Sequence, residues 1–216
     1  DTAVVAATEL WNGTNWTEVN DLNDSRENVT VTSLDTSNAL AAGGESPGVT
    51  ANTELWNGTN WAEQNNLNTG RYGAGGVGSN SGSLIFGGYI TTFSALTEEW
   101  TGAGAPVGAW ATGGSLNTAR EYIAGAGVSN SASLGFGGNE PPTSAKTESY
   151  NGTSWTEVND LSTGRNQMGG AGTSTSAVGF GGTPPLSNKT DTWNGTSWTE
   201  VNTMNCLLYT SPSPRD

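Results

Sequence analysis

Two kinds of apolar run alternate along this chain, each short and each closed by glycine or polar positions. One ends in a double glycine: SLIFGG (Ser83 to Gly88), SLGFGG (Ser133 to Gly138), AVGFGG (Ala177 to Gly182), and the weaker ALAAGG (Ala39 to Gly44). The other is an aromatic stretch, TELWNGTNW at Thr8 to Trp16 and again at Thr53 to Trp61, TESYNGTSW at Thr147 to Trp155, and TDTWNGTSW at Thr190 to Trp198. A longer version, TEEWTGAGAPVGAW, runs from Thr97 to Trp110. From first aromatic to first aromatic the intervals are 45, 44, 50 and 43 residues, and the long one contains the five extra residues between Trp100 and Trp110.

Turn chemistry places the strands within each unit. Asn12-Gly13, Asn57-Gly58, Asn151-Gly152 and Asn194-Gly195 lie between strand-like flanks, and Asn-Gly favours a type I′ hairpin with both residues at positive φ. The TELW segment is then a third strand, and the second tryptophan opens the fourth and outermost. A glycine-rich run after each arginine, such as YGAGGVG (Tyr72 to Gly78), gives an innermost first strand, where blades crowd a central axis. The double-glycine run is second. Four short strands repeated with a period in the forties predict an all-β propeller.

The repeat assigns most of the large side chains to structure. All nine tryptophans, Trp11, Trp16, Trp56, Trp61, Trp100, Trp110, Trp155, Trp193 and Trp198, fall in two columns, and Tyr150 fills the remaining slot. These columns are the expected core, since each ring buries roughly 150–250 Å². Residues two apart on a strand share a face, so the acids Glu9, Glu54, Glu98, Glu148 and Asp191 lie beside the first-column aromatics. A carboxylate buried there needs a partner. The once-per-repeat arginines, Arg26, Arg71, Arg120 and Arg165, are the expected ones.

Composition changes the picture in two ways. Only 33% of the 216 residues are hydrophobic and the formal charge is −13, which taken alone leans toward disorder; the ordered aromatic columns overrule that. The scarcity of cations disfavours nucleic acid and anionic membrane surfaces, so a neutral or cationic partner fits better. No apolar run is long enough for a membrane span, and no signal-peptide pattern opens the chain.

The combination of Gly87-Gly88, Trp100, Trp110 and Arg120, and again of Gly137-Gly138, Tyr150, Trp155 and Arg165, resembles kelch repeats. Gly43-Gly44 and Gly181-Gly182 hold the same place in the outer units. The resemblance covers about residues 5 to 203 and implies a kelch-type β-propeller, with four full four-stranded blades at about 22–64, 67–112, 116–158 and 161–201 and an N-terminal half blade at 3–19. Kelch propellers usually have more blades, so the chain is expected to be an internal fragment of a longer one. The last stretch, CLLYTSPSPRD from Cys206 to Asp216, breaks the repeat and looks like a translated sequencing adapter. It is set aside as non-native, and the single cysteine goes with it, leaving no redox information.

Catalytic chemistry finds little material. Kelch-type enzymes similar to galactose oxidase need histidine ligands, and this chain has no histidine. A His-based metal site or a Ser/Cys-His nucleophile therefore cannot be assembled from it. Glu18, Glu63, Glu157 and Glu200 recur in every unit, as structural positions do. Asp21, Asn23 and Asp24 offer oxygen ligands for calcium, but the equivalent positions elsewhere change, which favours an inter-blade turn. The NGT triplets match the N-glycosylation pattern, although their turn role accounts for them. No cofactor and no metal site is expected.

What varies is the loop after each double glycine: ESPGVTAN (Glu45 to Asn52), YITTFSA (Tyr89 to Ala95), NEPPTSA (Asn139 to Ala145) and TPPLSNK (Thr183 to Lys189). Every blade sends this loop to the same face, and variation on a fixed scaffold is where recognition is usually carried. Tyr89, Phe93, Glu140, Pro141, Pro142, Pro184 and Pro185 are the candidate ligand-binding residues. The expected function is non-catalytic recognition of protein or glycan at an extracellular or virion surface. The alternatives are a fragment of a carbohydrate-active or galactose-oxidase-like enzyme whose catalytic residues are outside this chain, and a structural spacer of a virion or cell-surface fibre.

Overall fold

A computed structural model describes residues 4–102 and 107–205. The adapter-like string 206–216 and part of the stretched segment, 103–106, lie outside the described residues. The chain is all β. A hairpin of β1 (Thr8–Trp11) and β2 (Trp16–Val19) precedes four antiparallel four-stranded blades. The first blade is β3 (Thr30–Asp35), β4 (Asn38–Ala42), β5 (Thr53–Trp56) and β6 (Trp61–Glu63); the second is β7 (Gly75–Ser79), β8 (Gly82–Phe86), β9 (Thr97–Thr101) and β10 (Ala109–Thr112). The third is β11 (Ala124–Ser129), β12 (Ala132–Phe136), β13 (Thr147–Tyr150) and β14 (Trp155–Val158), and the fourth is β15 (Gly169–Gly172), β16 (Ala177–Phe180), β17 (Thr190–Trp193) and β18 (Trp198–Glu200). In each blade spatial order follows chain order. The blades stand in a ring around a common axis as a β-propeller.

Glycine makes the axis possible. The first strands pack against one another in sequence, β3 on β7, β7 on β11 and β11 on β15, so each must pass close to its neighbour's backbone. At Gly170 an added Cβ would lie 2.5 Å from the Gly125 carbonyl oxygen of the preceding blade. The expected placement of the glycine-rich run innermost and the second-tryptophan strand outermost matches this order.

The Asn-Gly turns differ from expectation. Trp11 pairs with Trp16, Trp56 with Trp61, Tyr150 with Trp155 and Trp193 with Trp198, leaving four residues in each loop instead of two. Only the glycines take positive φ, at 91 to 94°. The asparagine acts through its side chain: Asn57 Oδ1 accepts from the amides of Thr59 and Asn60 at 3.0 and 2.9 Å, and Asn12, Asn151 and Asn194 repeat the arrangement. An asparagine that closes a turn on its own backbone has no need of a left-handed conformation.

Each hydrophobic cluster lies between two blades. Leu40, Ala42 and Leu67 pack with Ile85, Trp100 and Trp110 of the next blade. Val77, Leu84, Phe86, Leu116 and Ile123 pack with Tyr150 and Trp155, and Leu134 and Phe136 pack with Trp193 and Trp198. The second tryptophan is the link: Trp155 meets Phe86 at 4.8 Å between ring centroids, and Trp198 meets Phe136 at 4.7 Å. Its indole also donates backward across the interface, Trp61 to Thr8 Oγ1, Trp110 to Thr53, Trp155 to Thr97 and Trp198 to Thr147, at 2.9 to 3.1 Å. The expectation that both aromatic columns are core therefore fails at one end. Trp11 is 43% and Trp16 65% exposed, because among the described residues no further strand pairs with their hairpin and no blade precedes it to cover them. Trp61 and Trp198 are partly exposed.

Inside each blade the arginine meets its acid. Arg26 lies 3.1 Å from Glu54, Arg120 lies 2.7 Å from Glu148, and Arg71 and Arg165 pair with Glu98 and Asp191. All eight groups are buried. Arg120 Nη1 donates to the carbonyls of Gly137 and Lys146 at 2.6 and 2.9 Å, and Arg71 and Arg165 treat Gly87 and Gly181 likewise. The double glycine is thus part of the arginine's cage. Both of its residues take positive φ, 69 and 93° at Gly87 and Gly88, which suits glycine. Its second amide reaches the next blade's arginine backbone, Gly88 N to Arg120 O at 2.8 Å. Glu9 has no arginine in its hairpin and is exposed.

Candidate ligand face at the axial mouth

Immediately after each arginine the chain enters the first strand, and there it bridges to the residue that follows the double glycine. The four bridges are Glu27 with Glu45, Tyr72 with Tyr89, Glu121 with Asn139, and Asn166 with Thr183. Successive blades therefore present an acidic pair, an aromatic pair, an acid and an amide, and an amide and a hydroxyl at equivalent places around one end of the axis. The next residue in each blade is left-handed: Asn28, Gly73, Tyr122 and Gln167, with φ of 51 to 58°. A backbone relay joins them across blades, Gly73 N to Asn28 O at 3.1 Å, Tyr122 N to Gly73 O at 2.6 Å and Gln167 N to Tyr122 O at 3.2 Å. A bulky residue adopts this conformation only where its surroundings impose it. Here the relay does so, and it sets the rim of a cavity of about 280 Å³ lined by Asn28, Gly73, Tyr122, Gln167 and Met168.

The aromatic group sits on this rim. Tyr72 and Tyr89 lie 5.3 Å apart between ring centroids and are tilted by 35°, and Phe93 meets Tyr89 edge-on at 6.0 Å. Tyr122 approaches from the third blade, its ring close against Gly73. Carboxylates flank the group on both sides. Glu45 accepts from Asn28 Nδ2 at 2.9 Å, and Glu121 accepts from Asn139 Nδ2 at 2.9 Å. Burial, followed by the charges of Glu121, Tyr72, Glu45 and Glu27, pushes the Tyr122 phenol up to about 12. Burial and then Glu45 and Glu121 also push Tyr72 up. Both phenols are therefore uncharged donors at neutral pH.

The post-glycine loops differ in sequence but close alike. Thr50 N bonds to Gly44 O, Ser94 N to Gly88 O, Ser144 N to Gly138 O and Ser187 N to Gly182 O, all at 2.8 to 2.9 Å. They form a common frame that carries different side chains. Of the residues singled out from the sequence, Tyr89 and Phe93 belong to the aromatic group. Glu140 is paired with Lys146 at 3.1 Å, and Pro141, Pro142, Pro184 and Pro185 stand exposed at the tips of the third and fourth loops. Sequence reasoning passed over Tyr72, Tyr122, Glu27, Glu45 and Glu121. The signal for Glu27, Tyr72 and Glu121 was the position after each arginine, which changes from Glu to Tyr to Glu to Asn; Tyr122 stands one place later, and Glu45 opens the first variable loop.

The remaining carboxylates have structural surroundings. Asp21 accepts from Thr8 N at 3.3 Å, Asn23 bonds to Glu54, and Asp24 accepts from Asn52 at 2.7 Å, so the calcium-like trio is spread over separate links at the blade junction. Glu18, Glu63, Glu157 and Glu200 are exposed on the outer strands, with Glu200 paired to Lys189. Among the described residues no three metal-ligating acidic, histidine or cysteine side chains are gathered. No protein-family model matches this chain, and no curated protein matches it.

Proposed function

We propose that this protein is a non-catalytic recognition module that binds a protein or glycan through its loop face. The observation supporting this is the convergence of Tyr72, Tyr89, Phe93 and Tyr122 with Glu45 and Glu121 at the axial mouth, from three blades that otherwise repeat. Partly exposed aromatic faces beside convergent polar groups make up the ordinary composition of a binding surface. We assign the blades to the kelch type on the double glycine, the paired aromatics and the arginine of each unit. An extracellular or virion-surface setting suits a module of this kind with a formal charge of −13.

A glycan array and a peptide array probed with the purified protein test the reading. Tyr89→Ala and Phe93→Ala are expected to lose binding, whereas Glu157→Gln on the outer strand keeps it. Binding untouched by both loop-face changes would defeat the assignment. The spacer alternative predicts no ligand on either array.

A further inference from the structure

We infer that the Tyr72–Tyr89 pair is a platform for one neutral sugar ring, with Glu45 beside it accepting hydrogen bonds from the sugar hydroxyls; this rests on the loop-face reading above. The pair is held by the bridge that recurs in every blade. Tyr72 N donates to Tyr89 O at 3.1 Å and Tyr89 N to Tyr72 O at 2.9 Å, so the two Cα positions are fixed by a reciprocal backbone bridge. The bridge of Tyr89 with Phe93 fixes the other side. Two rings inclined by 35° with centroids 5.3 Å apart lean on each other as a partly overlapped pair, and their partly exposed side is an apolar patch against which the C–H face of a pyranose can stack. An ammonium cage differs, because it turns several ring faces inward on one point. Here Phe93 meets Tyr89 edge-on at 81°, so no such enclosure is formed.

The polar groups complete the match. An ionised carboxylate offers about four acceptor sites, and the amides of Asn28 and Asn139 each occupy one on Glu45 and Glu121. The rest on partly exposed Glu45 are open to hydroxyl donors, whereas Glu121 is buried and adds negative charge nearby. The Tyr72 and Tyr122 phenols supply donors for ring or hydroxyl oxygens. Charge selects among sugars. The four blade arginines are buried with their acids, and Lys146 and Lys189 are paired with Glu140 and Glu200, so none of these cations offsets Glu27, Glu45 and Glu121 at the rim. An acidic saccharide would be repelled.

The test is an array carrying neutral oligosaccharides, uronate- or sialate-bearing oligosaccharides and a lysine-rich peptide, probed with the intact chain and with Tyr72→Ala and Tyr72→Phe. Neutral oligosaccharides are expected to bind, to weaken about tenfold or more in Tyr72→Ala, and to keep most of their affinity in Tyr72→Phe, which preserves the ring. A thermal melt of both variants accompanies the array, and Tyr72→Phe carries the comparison if Tyr72→Ala unfolds: affinity lost on removal of the hydroxyl alone overturns stacking as the basis. Neutral-sugar binding unaffected by Tyr72→Ala overturns the platform. Capture of the lysine-rich peptide or of acidic sugars without neutral ones overturns the ligand class but leaves the loop face standing. Silence on every probe overturns both readings.

Discussion

Each blade buries one guanidinium and one carboxylate, and neither is tolerable there without the other. In the third blade Arg120 bonds through its two terminal nitrogens to Glu148 and two carbonyls, leaving its buried Nε without a partner, and Glu148 also accepts from Asn117 N and Nδ2 at 2.7 and 2.8 Å. Glu148→Gln is expected to cost about 3–5 kcal/mol in urea denaturation, because it leaves Arg120 charged and unmatched. Replacing Glu157, which lies directly opposite on β14 but exposed, should change stability by no more than about 0.5 kcal/mol. This pairing was legible in the sequence because both partners recur once per repeat. The double glycine's part in it was not, since a carbonyl acceptor leaves no mark in a side-chain pattern.

Tyr150 shows what a single departure from the repeat does. It occupies a tryptophan slot, and its hydroxyl donates to Glu99 of the preceding blade. Burial first, and then the bond and charge of Glu99, push its phenol up to about 12, against about 10 in an unfolded chain. Between those values the folded state holds a proton that the unfolded state has lost, so stability is full below about pH 10 and falls as pH rises toward 12. Denaturation midpoints measured from pH 8 to 12 should decline over that window. In Tyr150→Phe the decline should be shallower, starting from a lower stability at neutral pH because the bond to Glu99 is gone. Tyr122, also at about 12, and Tyr72, likewise pushed up by burial, contribute to the slope that remains.

At the scale of elements, the blades are joined by a contact that uses the repeat twice. A tryptophan at the start of the outermost strand reaches back to the threonine that opens the third strand of the blade before it. Trp155 Nε1 and Thr97 Oγ1, 2.9 Å apart and buried, are the clearest pair. Thr97→Val should cost about 1–3 kcal/mol by stranding a buried indole N–H. The same change in a Trp155→Phe background should cost much less, since no donor remains to be stranded. A double-mutant cycle checks this, and additive costs would show that the bond contributes nothing beyond packing. The strands were readable because glycine, Asn-Gly and aromatic columns each mark one of them. The link was not: the threonine that opens the third strand and the second tryptophan recur in each blade, and periodicity alone cannot say whether partners lie within a unit or between units. The mouth was half legible for the same reason. Variable loops drew attention to Tyr89 and Phe93, while Tyr72 and Glu121 stand beside invariant arginines and read as part of the frame.

At the scale of the whole molecule, the ring is a row of interfaces whose cores lie between units, so stability belongs to neighbours more than to single blades. The two ends of one repeat column expose this. Trp155 and Trp16 hold the same repeat position, yet Trp155 is 5% exposed, wedged between Phe86 and Tyr150, while Trp16 is 65% exposed and touches only Trp11 among ring partners. Trp155→Ala should cost about 3–5 kcal/mol, as for other buried aromatics. Trp16→Ala should cost at most about 1.5 kcal/mol, the value of one aromatic pair. Native-state hydrogen exchange should follow the same gradient. Amides of β1 and β2, which pair only with each other, should exchange through local opening. Those of β8, β12 and β13, sandwiched between blades, should exchange only near the global limit. Equal protection in the hairpin and the central blades, or equal cost for the two tryptophans, would show that the hairpin is bound into the fold by contacts other than the interfaces described. The rim residues of the second and third blades have a blade on either side, where the highest protection is expected, and rigidity there would suit the proposed ligand surface.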